Sequence, residues 1–402
     1  MNLLTINTYD CSADASGGIN RMTALLTPEL EKAGIGCFFG YFLPLAPSFH
    51  PAPFRDRIHL NIPFDEDKLE KFLIKNKIDI IQINYLRKEF LIKGIESITR
   101  VAQHNNVKTI YAFHMCPGFQ TVTNGTLQRM LYGYLHNDQA LKQTLYWLLS
   151  STKPVWQPIS NLLLRKKYLI PYNLTDRTVV LSQHYIQPYA QLCGIKDTSK
   201  LTAIGNSLRY TDFITADDIQ KKDKTVLVVA RFDEHTKRLS YVLRCWKKIE
   251  QCADLQYWRL QLVGTGGDER FYRYLTDKYQ LRRVEFAGLQ DPHDYYLHAS
   301  LFCMTSTAEG WGMTLTEAAQ LGVPAIAMNS FGAVHDIITD GYNGTIVPNN
   351  DLKAFYNAMV ALMSDDNKRR QMSLNAVESS HRFEIYNVVN QWLNLFEQLQ
   401  DK

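Results

Sequence analysis

Ser306-Thr-Ala-Glu-Gly-Trp-Gly-Met-Thr-Leu-Thr-Glu-Ala-Ala319 is the stretch of this 402-residue chain that decides its fold. The run before it, Leu301 to Thr305, is short, apolar and bounded by polar residues, which predicts a buried strand. Residues from Met313 onward favour a helix, and Gly322 predicts where that helix ends. The segment Glu309 to Gly312 is therefore predicted to be the turn between a buried strand and a helix.

The turn has the composition of a pocket for an oxygen-rich ligand. Gly310 and Gly312 remove side chains where a ligand would approach the backbone, and the first N–H groups of a helix form a partial positive pole. Glu309 lies on the turn, and Glu317 lies about one turn into the helix. Two acceptors then flank a donor-rich pocket, which fits a ligand with hydroxyls at both ends and phosphates between them. The alternative is an ordinary helix start, where Glu and Gly are both frequent.

Apolar runs alternate with helical patterns along the whole chain, which is typical of α/β folds with parallel sheets. The predicted strands are Leu3 to Thr8, Cys37 to Leu43, Asp79 to Asn84, Lys108 to His114, Thr178 to Ser182, Thr225 to Phe232, Arg259 to Gly264, Val284 to Gly288, Leu301 to Thr305, Ala325 to Met328 and Gly344 to Val347. A chain of this length indicates two domains of about 200 residues each. The polar, turn-rich segment from Gly205 to Asp223 places their boundary near residue 207.

The composition is that of a soluble globular enzyme, with 46% hydrophobic and 21% charged residues. No apolar run reaches the roughly 18 residues that a membrane-spanning helix needs, and the first residues lack the basic start of a signal peptide. A cytoplasmic protein is therefore expected. Seven cysteines without a Cys-x2-Cys pair argue against a disulfide framework or a zinc ribbon. The net charge of +4 is too small to favour nucleic-acid binding.

Further candidate residues follow other predicted strands. Gly17 and Gly18 open a helix after the first strand, which suits an anion cradle or, equally, a flexible loop. Arg231 and Lys237 follow the strand that starts at Thr225, where cations are good diphosphate ligands, although a solvated basic turn is the usual alternative.

Two more candidates are weaker. Gly264 and Gly266 form a glycine turn after the strand from Arg259, but Glu269 stands where a dinucleotide fingerprint needs its third glycine. His114 ends the strand from Lys108, and a single histidine there is more often a structural residue than a catalytic one. No second histidine or carboxylate stands nearby at metal-ligand spacing.

The segment 119–172 differs from the rest of the chain because it is basic and aromatic. It contains six basic residues and only one acidic residue, Asp138. The basic residues are Arg129, Lys142, Lys153, Arg165, Lys166 and Lys167. Aromatic residues are interleaved with them, namely Tyr132, Tyr134, Tyr146, Trp147, Trp156 and Tyr168. Basic and aromatic residues on helices suit the surface of an anionic membrane, and an enlarged helical insert that covers the sheet is an equal alternative.

The stretch from Ser306 to Ala319 closely resembles the Glu-x7-Glu signature of retaining glycosyltransferase family 4, also called glycosyltransferase group 1. The resemblance spans most of residues 1–385 and is strongest from Thr225 to Pro348. It implies that Glu309 faces the transferred sugar and that Glu317 binds the nucleotide ribose. It also implies that the turn holds the sugar and phosphate through Gly310, Trp311, Gly312, Met313 and Thr314.

For the other candidates, the resemblance implies an Arg231–Lys237 pair that clamps the donor diphosphate. Lys237 stands six positions after Arg231, often one more than in the family, so Arg238 is a further candidate for this role. Gly17 and Gly18 are implied to approach the diphosphate, and Gly264 and Gly266 to touch the nucleotide. His114 is implied to lie near the sugar and acceptor, where it orients or polarises a group.

The fold expected from this resemblance is GT-B, with two doubly wound Rossmann-like domains facing a central cleft. We expect residues 1–207 to form the N-terminal acceptor-side domain, with the basic aromatic insert at about 119–172. Residues 208–383 are expected to bind the nucleotide sugar, and a helix in 384–402 to pack back on the first domain.

The expected activity is metal-independent, retaining transfer of a hexose from a nucleotide diphosphate sugar to a hydroxyl of a growing surface or lipid-linked glycan. Expected partners are the donor, a glycan or lipid-linked glycan acceptor and an anionic membrane surface reached through 119–172. The chain is expected to be cytoplasmic, with peripheral attachment to the inner face of the membrane as a further possibility. The alternatives are a nucleotide-sugar epimerase of the same fold and a non-catalytic nucleotide-sugar-binding partner subunit.

Overall fold

The computed structural model describes residues 1–12, 17–44, 52–84, 86, 88–118, 127–136 and 153–401. Its internal contacts divide the chain into two compact units. The first unit consists of Met1–Gly118, Asn161–Arg209 and Phe383–Lys402, and the second of Phe119–Ser160 and Tyr210–Arg382. The boundary at residues 209 and 210 lies two residues from the position that the sequence predicts.

The first unit contains a seven-stranded sheet in the order β3-β2-β1-β4-β5-β6-β7, in which every neighbouring pair is parallel. The strands are β1 (Asn2–Tyr9), β2 (Gly36–Leu43), β3 (Arg57–His59), β4 (Ile80–Asn84), β5 (Lys108–Phe113), β6 (Arg177–Val180) and β7 (Leu201–Ala203). Strands β3 and β7 are absent from the predicted strands. Each has only three residues at a sheet edge, which is too short for a hydrophobic period to show.

The helices of this unit are α1 (Gly18–Lys32), α2 (Glu66–Lys75), α3 (Lys88–His104), α5 (Lys153–Leu174, from Asn161 onward), α6 (Ile186–Cys193) and α15 (Ile385–Gln400), numbered along the whole chain. Helix α15 buries Val388, Trp392 and Phe396 in the same core as Leu3 of β1 and Ile110 of β5. Its apolar residues recur at helical spacing, so one face is hydrophobic and is removed from water against the first unit.

The second unit contains a six-stranded parallel sheet in the order β10-β9-β8-β11-β12-β13. Its strands are β8 (Thr225–Val229), β9 (Arg259–Val263), β10 (Val284–Gly288), β11 (Leu301–Met304), β12 (Ala325–Asn329) and β13 (Gly344–Pro348). The predicted strand Thr225 to Phe232 thus ends at Val229. The next residues leave the strand but still follow β9, because Ala230 and Phe232 donate backbone N–H groups to Val263 and Thr265 at 3.1 and 2.8 Å.

Its helices are α4 (Leu127–Leu135), α7 (Ala216–Gln220), α8 (Leu239–Ile249), α9 (Glu269–Lys278), α10 (His293–His298), α11 (Met313–Gln320), α12 (Val334–Ile337), α13 (Leu352–Ser364) and α14 (Asp366–Ser380). Gly322 follows α11 with a φ of +63°, as expected of a glycine that ends a helix. Among the helices of the described residues, none is both long enough and apolar enough to cross a bilayer.

Helix α4 is a correction to the predicted domain organisation, which assigned all of 119–172 to the first domain. Gln128 donates to the hydroxyl of Tyr279 at 2.7 Å, and Arg129 pairs with Asp268 at 2.5 Å. The ring of Tyr132 lies 5.0 Å from that of Tyr274. These partners belong to the second unit, at α9 and beside it, and a local pattern cannot reveal them. Residues 119–126 and 137–152 of the predicted insert lie outside the described residues.

Strand order changes direction once in each sheet, between β1 and β4 in the first unit and between β8 and β11 in the second. At such a switch point the connections leave the two strands toward opposite faces of the sheet. A crevice therefore opens beyond the carboxyl ends of those strands, where α/β proteins bind their ligands. The fold thus singles out the segments after β1, β4, β8 and β11.

Candidate functional site

The switch point of the second unit brings together the segments that follow β8 and β11. A hollow of about 240 Å³ lies there, lined by Ala230, Lys237, Ser306, Glu309 and Thr314 among others. These residues come from both segments and from the first turn of α11. The tertiary structure therefore joins two of the sequence-predicted groups in one site.

The central contact of the site is an ion pair between Lys237 and Glu309. The Lys237 Nζ atom lies 2.5 Å from Oε1 of Glu309, although the two residues are 72 positions apart. The Lys237 side chain is 22% exposed and that of Glu309 is 15% exposed, so little water surrounds the contact. The attraction between two opposite charges is much stronger in such a place than on an open surface.

Local hydrogen bonds hold the loop that carries Lys237. Asp233 accepts from the hydroxyl of Thr236 at 2.9 Å, and its backbone carbonyl accepts from the N–H of Lys237 at 2.7 Å. The N–H of Thr307, after β11, donates to the Thr236 carbonyl at 2.7 Å. Burial opposes ionisation of Asp233, but the Thr236 hydrogen bond and the Arg231 charge outweigh it and lower the pKa of the carboxyl. The loop is thus tied both to itself and to the segment that carries Glu309.

Arg231 lies at the exposed end of this loop. Its Nη2 atom lies 2.9 Å from Oδ2 of Asp233, and its side chain is 70% exposed. A pair this open to water contributes little to stability, so the guanidinium can exchange its partner at small cost. Arg231 is therefore a cation that a ligand could recruit.

Arg238 has a different role from the one that the sequence allowed. Its residue is only 1% exposed, and Nε and Nη2 donate to the backbone carbonyls of Thr305 and Ser306 at 2.7 and 2.8 Å. Its Nη1 atom donates to Oδ1 of Asn350 at 2.5 Å. The expectation that Arg238 shares the diphosphate clamp is therefore wrong, because its guanidinium is committed to holding the segment after β11.

The turn before α11 has the conformation that its glycines predict. Gly312 precedes the helix with a φ of +105°, in the region that favours glycine, and its carbonyl accepts from Leu315 at 2.8 Å. Trp311 is buried, whereas Gly310, Met313 and Thr314 are partly exposed. The first N–H groups of an α-helix have no partner within that helix, so this end attracts anions.

Glu317 lies inside α11 and is 2% exposed. Its Oε2 atom accepts a hydrogen bond from the hydroxyl of Tyr296 at 3.1 Å, and Tyr296 itself is fully buried in α10. Tyr296 is not among the residues that the sequence predicts for the site, because a tyrosine in a short helical segment carries no distinctive signal. The tyrosine holds the carboxylate in place at the first turns of α11.

Gly264 and Gly266 have a packing reason that is independent of any ligand. A Cβ atom on Gly264 would lie 1.9 Å from the carbonyl oxygen of Ala230, and one on Gly266 would lie 2.3 Å from that of Phe232. No side chain fits at such distances. These glycines let the end of β9 pass close to the segment after β8, and their contact with a nucleotide stays a prediction.

The first unit has a polar cluster at its own switch point, and His114 belongs to it. The His114 Nε2 atom lies 2.9 Å from Oδ1 of Asn84, the last residue of β4. Burial lowers the pKa of His114 to about 4, so the imidazole is neutral at pH 7. His114 and Asn84 also line a hollow of about 610 Å³.

Gly17 and Gly18 begin α1, which follows β1 in the same unit. Gly17 has a φ of +103°, and both glycines are exposed. The first turns of α1 contribute Asn20 to the polar cluster near β1. Among the residues that the structure describes, no group of three or more His, Cys, Asp or Glu side chains is arranged to hold a metal ion.

Comparisons with known proteins find a family match within the second unit. Residues 211–379 match the family described as Glycosyl transferases group 1. All of these residues lie in the second unit, which is therefore similar in sequence to the group 1 glycosyltransferases.

Two curated relatives support the same family. The amylovoran biosynthesis glycosyltransferase AmsD of Erwinia amylovora is 27% identical over 237 residues, which are 57% of this chain and 64% of AmsD. An alpha-1,4-N-acetyl-D-galactosaminyltransferase of Campylobacter jejuni, named for an acceptor on PP-undecaprenol, is 24% identical over 197 residues. This match covers 49% of this chain and 54% of that protein. The chain thus spans about half to two thirds of each.

The solved structure of HepE from Anabaena in complex with UDP matches the whole fold. Its TM-score is 0.70 at 16% identity, and the match covers 99% of this chain and 100% of HepE. The two parallel-sheet α/β units therefore have the GT-B fold that the sequence predicts.

Proposed function

We propose that the protein is a retaining glycosyltransferase that moves a hexose from a nucleotide diphosphate sugar to a hydroxyl of a growing glycan. The observation that carries the proposal is the Lys237–Glu309 contact at the switch point of the group 1 unit. A cation and a carboxylate side by side suit a ligand whose diphosphate and sugar are directly joined. The lysine stabilises the negative charge on the leaving diphosphate, and the carboxylate contacts the sugar that is transferred.

In this proposal, donor binding exchanges the partner of Lys237. The diphosphate replaces Glu309 as the anion next to Nζ, and Arg231 turns from Asp233 to the same phosphates. The N–H groups at the start of α11 add their partial positive charge. Glu309 then faces the sugar, and Glu317, held by Tyr296, accepts from a ribose hydroxyl.

Transfer breaks the bond between the anomeric carbon and the diphosphate oxygen and forms a bond from that carbon to the acceptor oxygen on the same face. The acceptor proton passes to the departing diphosphate. Arg231 and Lys237 supply the positive charge that the leaving group needs, which is why we propose that no metal is required. The acceptor side is assigned to the first unit, where the neutral His114 orients a hydroxyl.

The acceptor is proposed to be a surface or lipid-linked glycan of the polysaccharide or lipopolysaccharide type. The names of the two curated relatives support this, since one acts in amylovoran biosynthesis and the other on a glycan joined to PP-undecaprenol. A cytoplasmic location and peripheral attachment to a membrane are part of the same proposal, because a lipid-linked acceptor is held at a membrane surface.

Helix α4 supports the membrane part of the proposal. Leu131, Tyr134 and Leu135 are 52%, 64% and 71% exposed, and their spacing places them together on the outer side of the helix. Exposed apolar residues grouped on one side of a helix are typical of a helix that lies on a membrane surface.

Vesicle sedimentation tests this part. Wild-type protein should sediment with vesicles that contain phosphatidylglycerol, and the Leu131→Ser, Leu135→Ser double variant should bind them several-fold less. Leu289→Ser is the matched control, since Leu289 is 79% exposed elsewhere in the same unit. Equal sedimentation of all three proteins would remove α4 from the proposal.

The transferase proposal is tested with a panel of nucleotide sugars. A donor that raises the melting temperature is incubated with and without glycan acceptors, because a ligand of the folded state stabilises it by mass action. Acceptor-dependent release of nucleoside diphosphate, with the anomeric configuration of the donor kept in the product and no loss on addition of EDTA, is expected. Conversion of the donor without any acceptor would instead indicate an epimerase, and binding without turnover would indicate a non-catalytic subunit.

A further inference from the structure

The polar cluster of the first unit contains a chain of side-chain amides that ends at His114. We call it the amide relay, and it consists of Asn20, Asn7 and Asn84, with Thr23 beside them. Asn7 lies in β1, Asn84 ends β4, and Asn20 and Thr23 lie in α1. Asn7, Thr23 and Asn84 are at most 8% exposed, so their hydrogen bonds form largely away from water.

A backbone carbonyl fixes the direction of the relay at its start. The Asn20 Nδ2 atom donates to the carbonyl of Asp10 at 3.1 Å, and a carbonyl can only accept. The Asn20 Oδ1 atom must then face Asn7, whose Nδ2 atom donates to it at 2.9 Å. The Oδ1 atom of Asn7 then accepts a hydrogen bond from Nδ2 of Asn84 at 2.7 Å.

A second carbonyl imposes the same direction independently. The hydroxyl of Thr23 donates to the carbonyl of Ile19 at 3.0 Å, so its oxygen is left as an acceptor. Both Asn7 and Asn84 turn their NH₂ groups toward that oxygen, at 3.4 and 3.3 Å. If either amide were reversed, two oxygens would face each other in a buried place.

The orientation of Asn84 then decides the state of His114. The Oδ1 atom of Asn84 faces Gln82 and His114, at 3.0 Å from Nε2 of the glutamine and 2.9 Å from Nε2 of the histidine. An oxygen can only accept, so the His114 Nε2 atom must carry a hydrogen. In a neutral imidazole the other nitrogen, Nδ1, is then an acceptor.

We propose that Asn84, oriented by Asn7, Asn20 and Thr23, is a positioning residue that holds His114 in the Nε2–H tautomer and leaves Nδ1 to accept a hydrogen bond from a ligand hydroxyl. The tautomer follows from the first unit alone. The ligand hydroxyl rests on the proposed function. His114 therefore accepts a hydrogen bond from the substrate and does not donate one to it.

Nitrogen-15 NMR of histidine-labelled protein tests the tautomer without any substrate. The resonances of His114 are identified among those of the 11 histidines by their loss in His114→Gln. Wild-type His114 should show a protonated Nε2 and an unprotonated Nδ1 at pH 7, with no titration between pH 8 and 5. A protonated Nδ1 in the wild type would overturn the proposal.

Two variants separate positioning from simple packing. Thr23→Val removes the acceptor between the two amides, and the His114 resonances should shift toward a mixture of tautomers. Thr27→Val is its matched control, because Thr27 is also buried in α1 and its hydroxyl donates only to the carbonyl of Thr23. Equal spectra of His114 in both variants would contradict the role of the relay.

Asn84→Asp gives a second, independent result. A carboxylate next to Nε2 stabilises the imidazolium, so His114 should begin to titrate within pH 5–8 and at a higher pH than in the wild type. An unchanged titration would argue against direct contact. Because these spectra need no transfer activity, a failed transferase assay with the expected spectra would reject only the proposed function.

Discussion

The two units place polar side chains at the same point of the fold but with opposite chemistry. In the second unit, a cation and an anion face each other as Lys237 and Glu309 beyond β8 and β11. In the first unit, β1, β4 and β5 lead to neutral amides and to His114, which burial keeps uncharged at pH 7. A charged pair suits a diphosphate and is sensitive to salt, whereas a neutral, directional network suits hydroxyls. Under the proposed function, the same architecture would therefore serve two kinds of recognition.

The largest effect is expected from removing the cation of the charged site. Lys237→Met keeps the length of the side chain but not its charge, and should lower kcat/KM of transfer about 10²- to 10³-fold because the leaving diphosphate loses its main counter-charge. Steady-state kinetics measures the change. Lys353→Met, at an exposed lysine of α13, is the control and should leave the rate unchanged. A fully active Lys237→Met would show that the charged site is not the donor site.

The neutral imidazole of His114 should make the folding stability of the protein depend on pH. The pKa of His114 is lowered to about 4 in the folded protein. Between about pH 6.5 and pH 4, His114 is therefore protonated in the unfolded chain but mostly unprotonated in the folded chain. Folding stability must then fall as pH decreases through this window. With a penalty of about 3 kcal/mol, the melting temperature of the wild type should drop about 6 °C more than that of His114→Gln between pH 7 and pH 4. Parallel melting curves for the two proteins would contradict an imidazole that stays neutral in the folded protein.

Glu309 should oppose nucleotide binding even though it promotes transfer. In the free protein Glu309 is paired with Lys237. Glu309→Gln therefore removes an anion that competes with the diphosphate for Lys237, and it also removes a negative charge that repels the diphosphate. We expect the Kd for nucleoside diphosphate to fall about tenfold, equivalent to about 1.4 kcal/mol, while transfer is lost. Calorimetry measures the affinity, and Glu285→Gln, at a carboxylate on β10, is the control. Weaker nucleotide binding by Glu309→Gln would rule out the proposed exchange of partners.

The smallest effect is expected at the edge of the charged site. Arg231 is 70% exposed, so Arg231→Met should raise the Kd for nucleoside diphosphate only about threefold at low salt. The difference should disappear as the ionic strength rises, because exposed charges are screened within about 10 Å at 0.1 M salt. A loss as large as that of Lys237→Met would mean that the arginine is as central as the lysine.

Local features of the fold were accessible to sequence reasoning. The turn at Glu309 to Gly312 and the helix after it follow from glycine placement and helix-forming residues, which act within a few positions. Asn84 was missed for a related reason. In the sequence, a polar residue at the end of the apolar run from Ile80 marks only a strand end, and its contacts with β1 and α1 are seen only in the folded structure.

Neighbouring residues show the limit most clearly. Lys237 and Arg238 are adjacent cations, and the sequence treats them as alternatives for one role. The backbone at Arg238 has a φ of +50°, which turns its side chain into the carbonyls after β11, while Lys237 points to Glu309. A one-residue difference in direction thus separates a structural arginine from a site lysine.

By itself, the sequence determined the alternation of strands and helices, the position of the glycine turn and the resemblance of the second unit to the group 1 glycosyltransferases. These depend on periodicity, backbone preferences and residue identity, which are local properties of the chain. Only the tertiary structure decided that Lys237 meets Glu309, that α4 belongs with α9, and that two backbone carbonyls orient the amides beside His114. Such contacts join residues up to 151 positions apart, and sheet order and close packing select them.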